Sequence, residues 1–461
     1  MNGPGPRHRP RPHASGGRRA GAAAVALALA GTLLAGLAAA PASADDIRGR
    51  EYWLSQSGIE KAWKVSQGSG VKVAVIDSGV DGKHPDLSGA IAGGTDVSGA
   101  GSSNGQKPIG AEPEHGTLVA TMLAGRGHGG ASASPSPGTS GVGNGPDGVI
   151  GVAPKAELLS ASVWLGSTNP AGKGVDDQIP AAVRWAVDNG ARVINMSLGS
   201  TSTAWPQSWD AAFEYAEAKD VVIVAAAGNR GTGSEQVGAP ATIPGVLAVG
   251  GLDRDGKASK NSSSQGISIG VSAPAEDLVG GLPGSGYARW DGSSGATPIV
   301  AGVAALIRSK YPTMSAAQVI KRIIATAKPA GGAVPNAIYG YGVLDAYAAL
   351  TAKVPEVSAN PLGSITDWIR IHRRGAATPG PSAGVAPVPD NAPTLPDPTV
   401  PAAAPASELG SPVPAVVTIG FLVLCVLILA GGGTHLLLVR RRGTVQGRGA
   451  VQGRGAPPAD D

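Results

Sequence analysis

The sequence contains a single cysteine, Cys425. One thiol cannot form a disulfide within a chain, so no intramolecular disulfide can stabilise any folded part of this protein. This excludes the class of small secreted domains that depend on several disulfides. The chain must rely on a large apolar core instead, and 461 residues are enough to build one.

Positive charge is scarce in the central part of the chain. The formal net charge is +4, but five arginines lie within residues 1–44 and five more within residues 440–461. Between these two ends the acidic side chains outnumber the basic ones. Nucleic acid is therefore not expected as a partner of the folded part.

The N-terminal segment has no acidic residue before Asp45. Its arginines precede an apolar, alanine-rich run over residues 20–40, which ends at the small residues Ala42, Ser43 and Ala44. This order is typical of a secretory signal peptide that is cleaved after an A-x-A site. We therefore predict a signal peptide over residues 1–44, exported by the general route or, because of the arginine pair at residues 18–19, by the twin-arginine route.

Near the other end, residues 413–439 contain no charged side chain. As a helix this stretch would be roughly 40 Å long, which exceeds the hydrocarbon thickness of about 30 Å. Three arginines follow at residues 440–442, and such positive flanks stay in the cytoplasm. The pattern predicts a single-pass protein of the cell membrane, with transmembrane helix 413–439, cytoplasmic tail 440–461 and an extracytoplasmic domain joined to the helix by a Pro/Ala-rich linker, residues 355–412.

Residues 45–354 alternate between apolar runs typical of buried strands and patterns typical of helices. The predicted strands are 71–76, 157–163, 192–197, 221–227 and 246–250, and the predicted helices are 115–124, 176–189, 209–219, 294–310 and 315–327. This alternation predicts an α/β fold in which a parallel sheet carries helices on both faces. Two low-complexity insertions, residues 98–112 and 126–147, flank His115 and should lie near the rim of the site. We predict that they are unstructured filler, with a role in gating substrate as the alternative.

Four polar residues stand at the ends of these predicted elements. Asp77 and Asn229 follow strands, whereas His115 and Ser294 begin helices. Each one alone has an ordinary explanation as a turn or a helix cap. Together they supply what peptide hydrolysis by a serine hydroxyl needs: an imidazole to take its proton, a carboxylate to orient the imidazole, and an amide to stabilise the oxyanion.

The segments around these residues resemble those of the subtilases, the subtilisin-like serine proteases, over about residues 58–350. The order Asp, His, Ser along the chain is the subtilisin order. The resemblance implies that Asp77 orients the base, that His115 is the general base and then the general acid, and that Ser294 is the nucleophile. It also implies that the Asn229 side chain forms the oxyanion hole with the Ser294 backbone N–H.

Three further segments carry the same resemblance: residues 151–154, residues 340–346, and Ser197, Leu198 and Gly199, which in the family line the substrate strand. The chemistry that the resemblance implies needs no metal and no cofactor, and the calcium sites that stabilise some subtilases cannot be recognised from the spacing of residues in this sequence. The chain departs from the family at Ser293, where threonine is commoner, and at Gly295, where methionine is commoner. The second departure should affect the shape of the pocket more than the identity of the nucleophile.

Only a short segment separates Ala44 from the first predicted strand, which leaves no room for the folded inhibitory pro-region of many secreted subtilases. This absence, together with the linker, the apolar span and the arginines, resembles the mycosins, membrane-anchored subtilases associated with type VII secretion. The mycosins commonly have disulfides in this domain, and this chain cannot form one.

The resulting hypothesis is a membrane-anchored serine endopeptidase that cuts exported or cell-envelope proteins through an acyl-enzyme, with a type VII secretion membrane complex as a further partner. Two alternatives stay open on the sequence alone. The chain could be a structural subunit that stabilises such a complex with dispensable proteolysis, or an esterase that uses the same triad.

Overall fold

The computed structural model describes residues 44–129 and 142–373. The strands, in chain order, are β1 (Lys72–Asp77), β2 (Ile91–Asp96), β3 (Arg126–His128), β4 (Asp147–Ile150), β5 (Glu157–Ser162), β6 (Val193–Met196), β7 (Val222–Ala226), β8 (Leu247–Leu252), β9 (Ile269–Pro274), β10 (Leu278–Gly281) and β11 (Tyr287–Trp290). The helices are α1 (Ala44–Gly49), α2 (Tyr52–Gln56), α3 (Ile59–Ala62), α4 (His115–Ala124), α5 (Val175–Asp188), α6 (Asp210–Ala218), α7 (Ser293–Lys310), α8 (Ala316–Ala325), α9 (Ala346–Thr351) and α10 (Ile365–His372).

Seven strands form one sheet in the order β2-β5-β1-β6-β7-β8-β9. Every neighbouring pair in this sheet is parallel. Strands β6 to β9 are buried along their whole length, as expected when helices cover both faces of a parallel sheet. The predicted fold class, an α/β fold with a parallel sheet, is confirmed.

The two faces of the sheet carry separate cores, because successive side chains of a strand point to opposite faces. In β1, Val73 and Val75 belong to the core on the face covered by α4, α7 and α8. Ala74 and Ile76 belong to the core on the other face, covered by α5 and α6. The two layers of helices therefore hold β1 from both sides and fix the position of its last residue, Asp77.

The first low-complexity insertion is ordered, contrary to our prediction. Asp96, at the end of β2, accepts hydrogen bonds from the backbone N–H groups of Ser98, Gly99 and Gly101 at 3.3, 2.8 and 3.0 Å. Burial opposes ionisation of this carboxyl, but the hydrogen bonds outweigh it and lower its pKa. In the second insertion, β3 and β4 pair as an antiparallel ribbon on either side of the undescribed residues 130–141.

Packed structure extends past residue 354, where we predicted the linker to begin. Helix α10 lies along α6, and its N-cap Ser364 donates a hydrogen bond to Glu217 near the end of α6 at 2.6 Å. Amphipathic side chains account for this: Ile365 is buried, while Trp368 and Ile369 pack against the core on that face.

Within residues 44–129 and 142–373, no helix is both long and apolar enough to cross a membrane. The predicted transmembrane helix 413–439 and tail 440–461 lie outside the described residues, as do residues 1–43 of the predicted signal peptide. Those three assignments stay predictions.

Candidate active site

Asp77 occupies the carboxyl end of β1, between β5 and β6, and its side chain is 1% exposed. Its Oδ1 accepts a hydrogen bond from the Ser78 N–H at 2.7 Å and lies 2.8 Å from His115 Nδ1. A carboxylate can only accept, so Nδ1 carries the proton. The other ring nitrogen, Nε2, is therefore left as the acceptor, which is the form a general base requires.

His115 is the first residue of α4, and two local features bring this helix close to β1. The Gly116 N–H donates to Ser78 Oγ at 2.9 Å. A Cβ atom at Gly116 would stand 2.2 Å from the Gly79 carbonyl oxygen, so only glycine allows this approach. The lack of a side chain at Gly116 therefore places His115 within hydrogen-bond reach of Asp77.

Opposing influences act on the protonation of His115, whose side chain is 19% exposed. Burial alone would lower its pKa, but the negative charge and hydrogen bond of Asp77, with smaller contributions from Glu112 and Glu114, raise the pKa above the usual 6.5. Asp77 therefore stabilises the imidazolium that forms whenever His115 accepts a proton.

Ser294 lies in the first turn of α7, directly after Gly292 and Ser293. Gly292 has a φ of 144°, a backbone conformation that favours glycine. Ser294 Oγ donates to the Ser197 carbonyl at 3.1 Å, and Ser197 Oγ donates to the Ser294 carbonyl at 2.7 Å. This reciprocal pair fastens the start of α7 to the end of β6.

Among the described residues, no hydrogen bond joins the Ser294 hydroxyl to His115. The two side chains line the same pocket, together with Asp77. For Ser294 to act as a nucleophile, its hydroxyl must leave the Ser197 carbonyl and turn towards the imidazole. Hydrogen bonds of this kind commonly tighten only when substrate is bound.

Asn229 lies beside the start of α7. Its Oδ1 accepts from the Ser293 N–H at 2.8 Å, and a backbone donor identifies that atom as the oxygen. Ser293 Oγ lies 3.0 Å from the same Oδ1 and 3.0 Å from the Gly228 carbonyl, so this serine also supports Asn229. The amide nitrogen Nδ2 is the remaining donor, and it makes no hydrogen bond within the described part of the chain.

Asp77, His115 and Ser294 line one pocket with a volume of about 390 Å³, whereas Asn229 is not among its lining residues. Ser197, Leu198 and Gly199, the predicted substrate strand, line it together with the three predicted catalytic residues. Further residues that sequence reasoning did not assign to the site complete its wall: Ile109, Ala111, Glu112, Leu165, Ile179 and Trp209. A peptide chain with apolar side chains fits this lining better than a small polar molecule does.

Trp290 also belongs to the site and was missed in the sequence. Its ring meets the His115 ring nearly at right angles, with centroids 5.6 Å apart. A Cβ at Gly295 would lie 2.3 Å from Leu278 Cδ1 and 3.4 Å from Trp290 Cζ2. Leu278 and Trp290 thus fill the space beside Gly295, which explains why this position has no side chain.

Among the described residues, no group of three or more His, Cys, Asp or Glu side chains is arranged to hold a metal ion.

Comparison with known proteins decides the family. The Subtilase family model (peptidase S8) matches residues 68–342, more than half of the chain. The chain belongs to the subtilase family. Subtilisin DY of Bacillus licheniformis is 37% identical over 290 residues, which cover 61% of this chain and 92% of that protein. The predicted enzyme class, a serine endopeptidase, is thereby confirmed.

Two proteins of type VII secretion systems, MycP1 and MycP3, are among the solved structures that resemble this subtilase. MycP1 from Mycobacterium smegmatis has a TM-score of 0.53 and 31% sequence identity, with 66% of this chain and 85% of MycP1 covered. The MycP3 protease from the type VII (ESX-3) secretion system has a TM-score of 0.51 and 32% identity, with 65% of this chain and 88% of MycP3 covered. The predicted resemblance to the mycosins is confirmed at this level.

Proposed function

We propose that this subtilase is a membrane-anchored endopeptidase on the outer side of the cell membrane, where it cuts exported or cell-envelope proteins at a type VII secretion complex. The observation that carries the catalytic part is the 2.8 Å contact between Asp77 and His115 at the wall of a pocket shared with Ser294. In this proposal Asp77 orients the base, His115 is the base and then the acid, and Ser294 is the nucleophile.

Acylation begins when the Ser294 hydroxyl turns from the Ser197 carbonyl to His115. Nε2 takes the hydroxyl proton while Oγ forms a bond to the carbonyl carbon of the scissile peptide, and the carbonyl oxygen becomes an oxyanion. His115 then gives the proton to the leaving amine as the C–N bond breaks, which leaves an acyl-enzyme on Ser294. Water then attacks the carbonyl carbon of the acyl-enzyme while His115 takes its proton. His115 returns this proton to Ser294 Oγ as the ester bond breaks, which releases the acid product and restores the serine.

Asn229 stabilises the oxyanion in this proposal. Its Oδ1 is held by Ser293, so Nδ2 is fixed as the free donor, next to the turn that carries Ser294. A donor that is already oriented costs no reorganisation when the charge forms. The backbone N–H of Ser294 supplies the second hydrogen bond.

The proposed membrane location and the proposed secretion partner are supported by observations other than the geometry of the site. Residues 1–44 have the pattern typical of an export signal, and residues 413–439 form an uncharged stretch that is followed by arginines. MycP1 and MycP3 come from type VII secretion systems, and both match this chain over most of their length. These facts favour an anchored protease whose pocket faces away from the cytoplasm.

The catalytic proposal is tested by labelling the purified protein with a fluorophosphonate, which reacts with activated serines. Wild type should be labelled at the peptide that contains Ser294, and Ser294→Ala should be unlabelled and inactive. Ser309→Ala is a suitable control, because Ser309 lies in the same helix and its hydroxyl bonds only to the Ser69 carbonyl. Labelling at another serine would reject Ser294 as the nucleophile.

The secretion proposal needs a strain without the gene. Wild-type protein should restore export and substrate processing, and Ser294→Ala should restore neither. Full recovery of export with the inactive variant would instead favour a structural subunit of the complex. Protease protection of the domain in spheroplasts would contradict the proposed orientation.

A further inference from the structure

The last helix of the described residues, α10, is fastened to α6 at both ends. At its start, Glu217 accepts hydrogen bonds from Ser364 Oγ and the Ile365 N–H, at 2.6 and 2.9 Å. Just after its end, Arg373 Nε lies 2.8 Å from Asp210 Oδ2, at the first residue of α6. The two helices therefore run antiparallel, with a charged contact at each end.

Arg373 makes more contacts than a surface ion pair would. Its Nη2 donates to the Trp205 carbonyl at 3.1 Å. Its guanidinium lies 5.8 Å from the centre of the Trp205 ring and 5.1 Å from that of Trp368. The Arg373 side chain is 24% exposed and that of Asp210 is 10% exposed, so solvent screens the contact only in part.

These contacts hold both ends of one short segment. Trp205 begins it, and its Nε1 donates to Asp210 Oδ1 at 2.8 Å. Asp210 ends it. Between them lies the 3₁₀ turn Gln207–Trp209, so Arg373, Trp205 and Asp210 close a loop around this turn.

Trp209, the last residue of the turn, is the link to the active site. It lines the pocket that contains Ser294 and His115, and its ring stacks on Phe213 with centroids 6.0 Å apart. Arg373 binds the backbone carbonyl of Trp205 before Trp209 and the side chain of Asp210 after it. The position of this part of the pocket wall therefore depends on a side chain that does not itself line the pocket.

We propose that Arg373 is a positioning residue for substrate specificity: it clamps residues 205–210 so that Trp209 forms a fixed apolar wall for peptides that fill the pocket. This proposal rests on the proteolytic function proposed above and adds a residue that determines which substrates are cleaved. Substrates that contact only the triad should be indifferent to Arg373, whereas longer peptides should require it.

The test compares Arg373→Ala with Arg370→Ala in the full-length protein. Arg370 is a matched control because it lies on the same helix and pairs only with Asp367, both more than half exposed. Substrates are peptide anilides of one to four residues and a small nitrophenyl ester. For Arg373→Ala we expect kcat/KM on the longest peptide to fall about tenfold, mainly through KM, with ester hydrolysis changed less than about twofold.

Arg370→Ala should match wild type on every substrate. Arg373→Lys should recover only part of the loss, since lysine keeps the charge but cannot bind Asp210 and the Trp205 carbonyl together. An equal loss on ester and long peptide, or no loss on either, would overturn the proposal. Failure of the proteolytic function itself is separately visible, because wild type would then cleave none of the anilides.

Discussion

The rings of Trp290 and His115 meet edge to face, with centroids 5.6 Å apart and an angle of 82° between their planes. Asp77 holds the imidazole through Nδ1, and Trp290 restricts it from a second direction. Trp290 ends β11, and Leu278 begins the strand that pairs with it. The β10–β11 hairpin therefore takes part in the active site although it lies outside the main sheet.

Replacing Trp290 should loosen the base. For Trp290→Ala we expect kcat to fall roughly three- to tenfold, because an edge-to-face aromatic contact contributes about 0.5–1.5 kcal/mol. Trp290→Phe keeps an aromatic ring and should retain most of the activity. Steady-state kinetics on an ester and a peptide check this, and equal activity of the alanine and phenylalanine variants would contradict it.

The pH profile should reflect the raised pKa of His115. The base acts only when neutral, so kcat/KM should fall as the pH drops through a pKa above the usual 6.5. Glu112 is one of the carboxylates that raise this pKa, and therefore Glu112→Gln should move the acid limb to lower pH. Asp188→Asn, at a carboxylate bonded to Tyr215, should leave the profile unchanged. A limb that moves to higher pH in Glu112→Gln would refute the assignment.

Removing the amide of Asn229 should affect the transition state more than substrate binding. Loss of one oxyanion donor costs about 10²- to 10³-fold in kcat, the scale known for subtilisin. Asn229→Ala should therefore lower kcat by that range with little change in KM. Asn229→Asp is informative as a second variant, because it keeps the size but places an acceptor against the oxyanion. Near-normal kcat in both variants would remove Asn229 from the oxyanion hole.

A buried ion pair should matter for stability far from the active site. Arg48 Nε lies 3.3 Å from Glu51 Oε2, with both side chains at most 2% exposed, and Arg48 also donates to the Gly148 carbonyl at 3.0 Å. Removing one partner of a buried pair costs about 3–5 kcal/mol. We expect Arg48→Met to lower the free energy of unfolding by that amount in urea titrations at neutral pH. Asp367→Ala, which breaks the exposed pair with Arg370, should cost less than about 1 kcal/mol.

The same variant has a pH signature. Burial raises the pKa of Glu51 well above its usual value, and Arg48 opposes that rise. A folded-state pKa above the unfolded value favours the folded state at low pH, and this contribution is lost as the pH rises through the folded pKa. The defect of Arg48→Met should therefore be smaller in mildly acidic buffer than at neutral pH. A defect that grows on acidification would contradict the assignment.

Much of the fold could be predicted because its signals are local. The apolar runs that became β1, β6, β7 and β8 are buried on both faces, and such strands read as continuous apolar segments. Strand β2 was missed because its sequence, Ile91–Asp96, contains two glycines and an alanine, which are poor strand formers. It forms a strand here because it pairs with β5.

The residues of the candidate site also divide into those that the sequence could predict and those that it could not. Asp77, His115 and Ser294 could be named because each stands at the end of a recognisable element, and they line one pocket. Trp209 and Ile109, which line the pocket, and Trp290, which contacts the His115 ring, could not be named, because only packing between elements distant in the sequence brings them to the site. The sequence shows that Gly295 departs from the commoner family residue. It cannot show that Leu278 fills the space beside Gly295, because that contact depends on where the β10–β11 hairpin packs.

Strand β1 lies between β5 and β6 in the sheet, and both of these strands follow it in the sequence. More than 200 residues separate Asp77 from Ser294, so the site assembles only through contacts between distant parts of the chain, and such contacts slow folding. A partly folded chain, in which β1 and the start of α7 are not yet packed together, therefore cannot hydrolyse peptides.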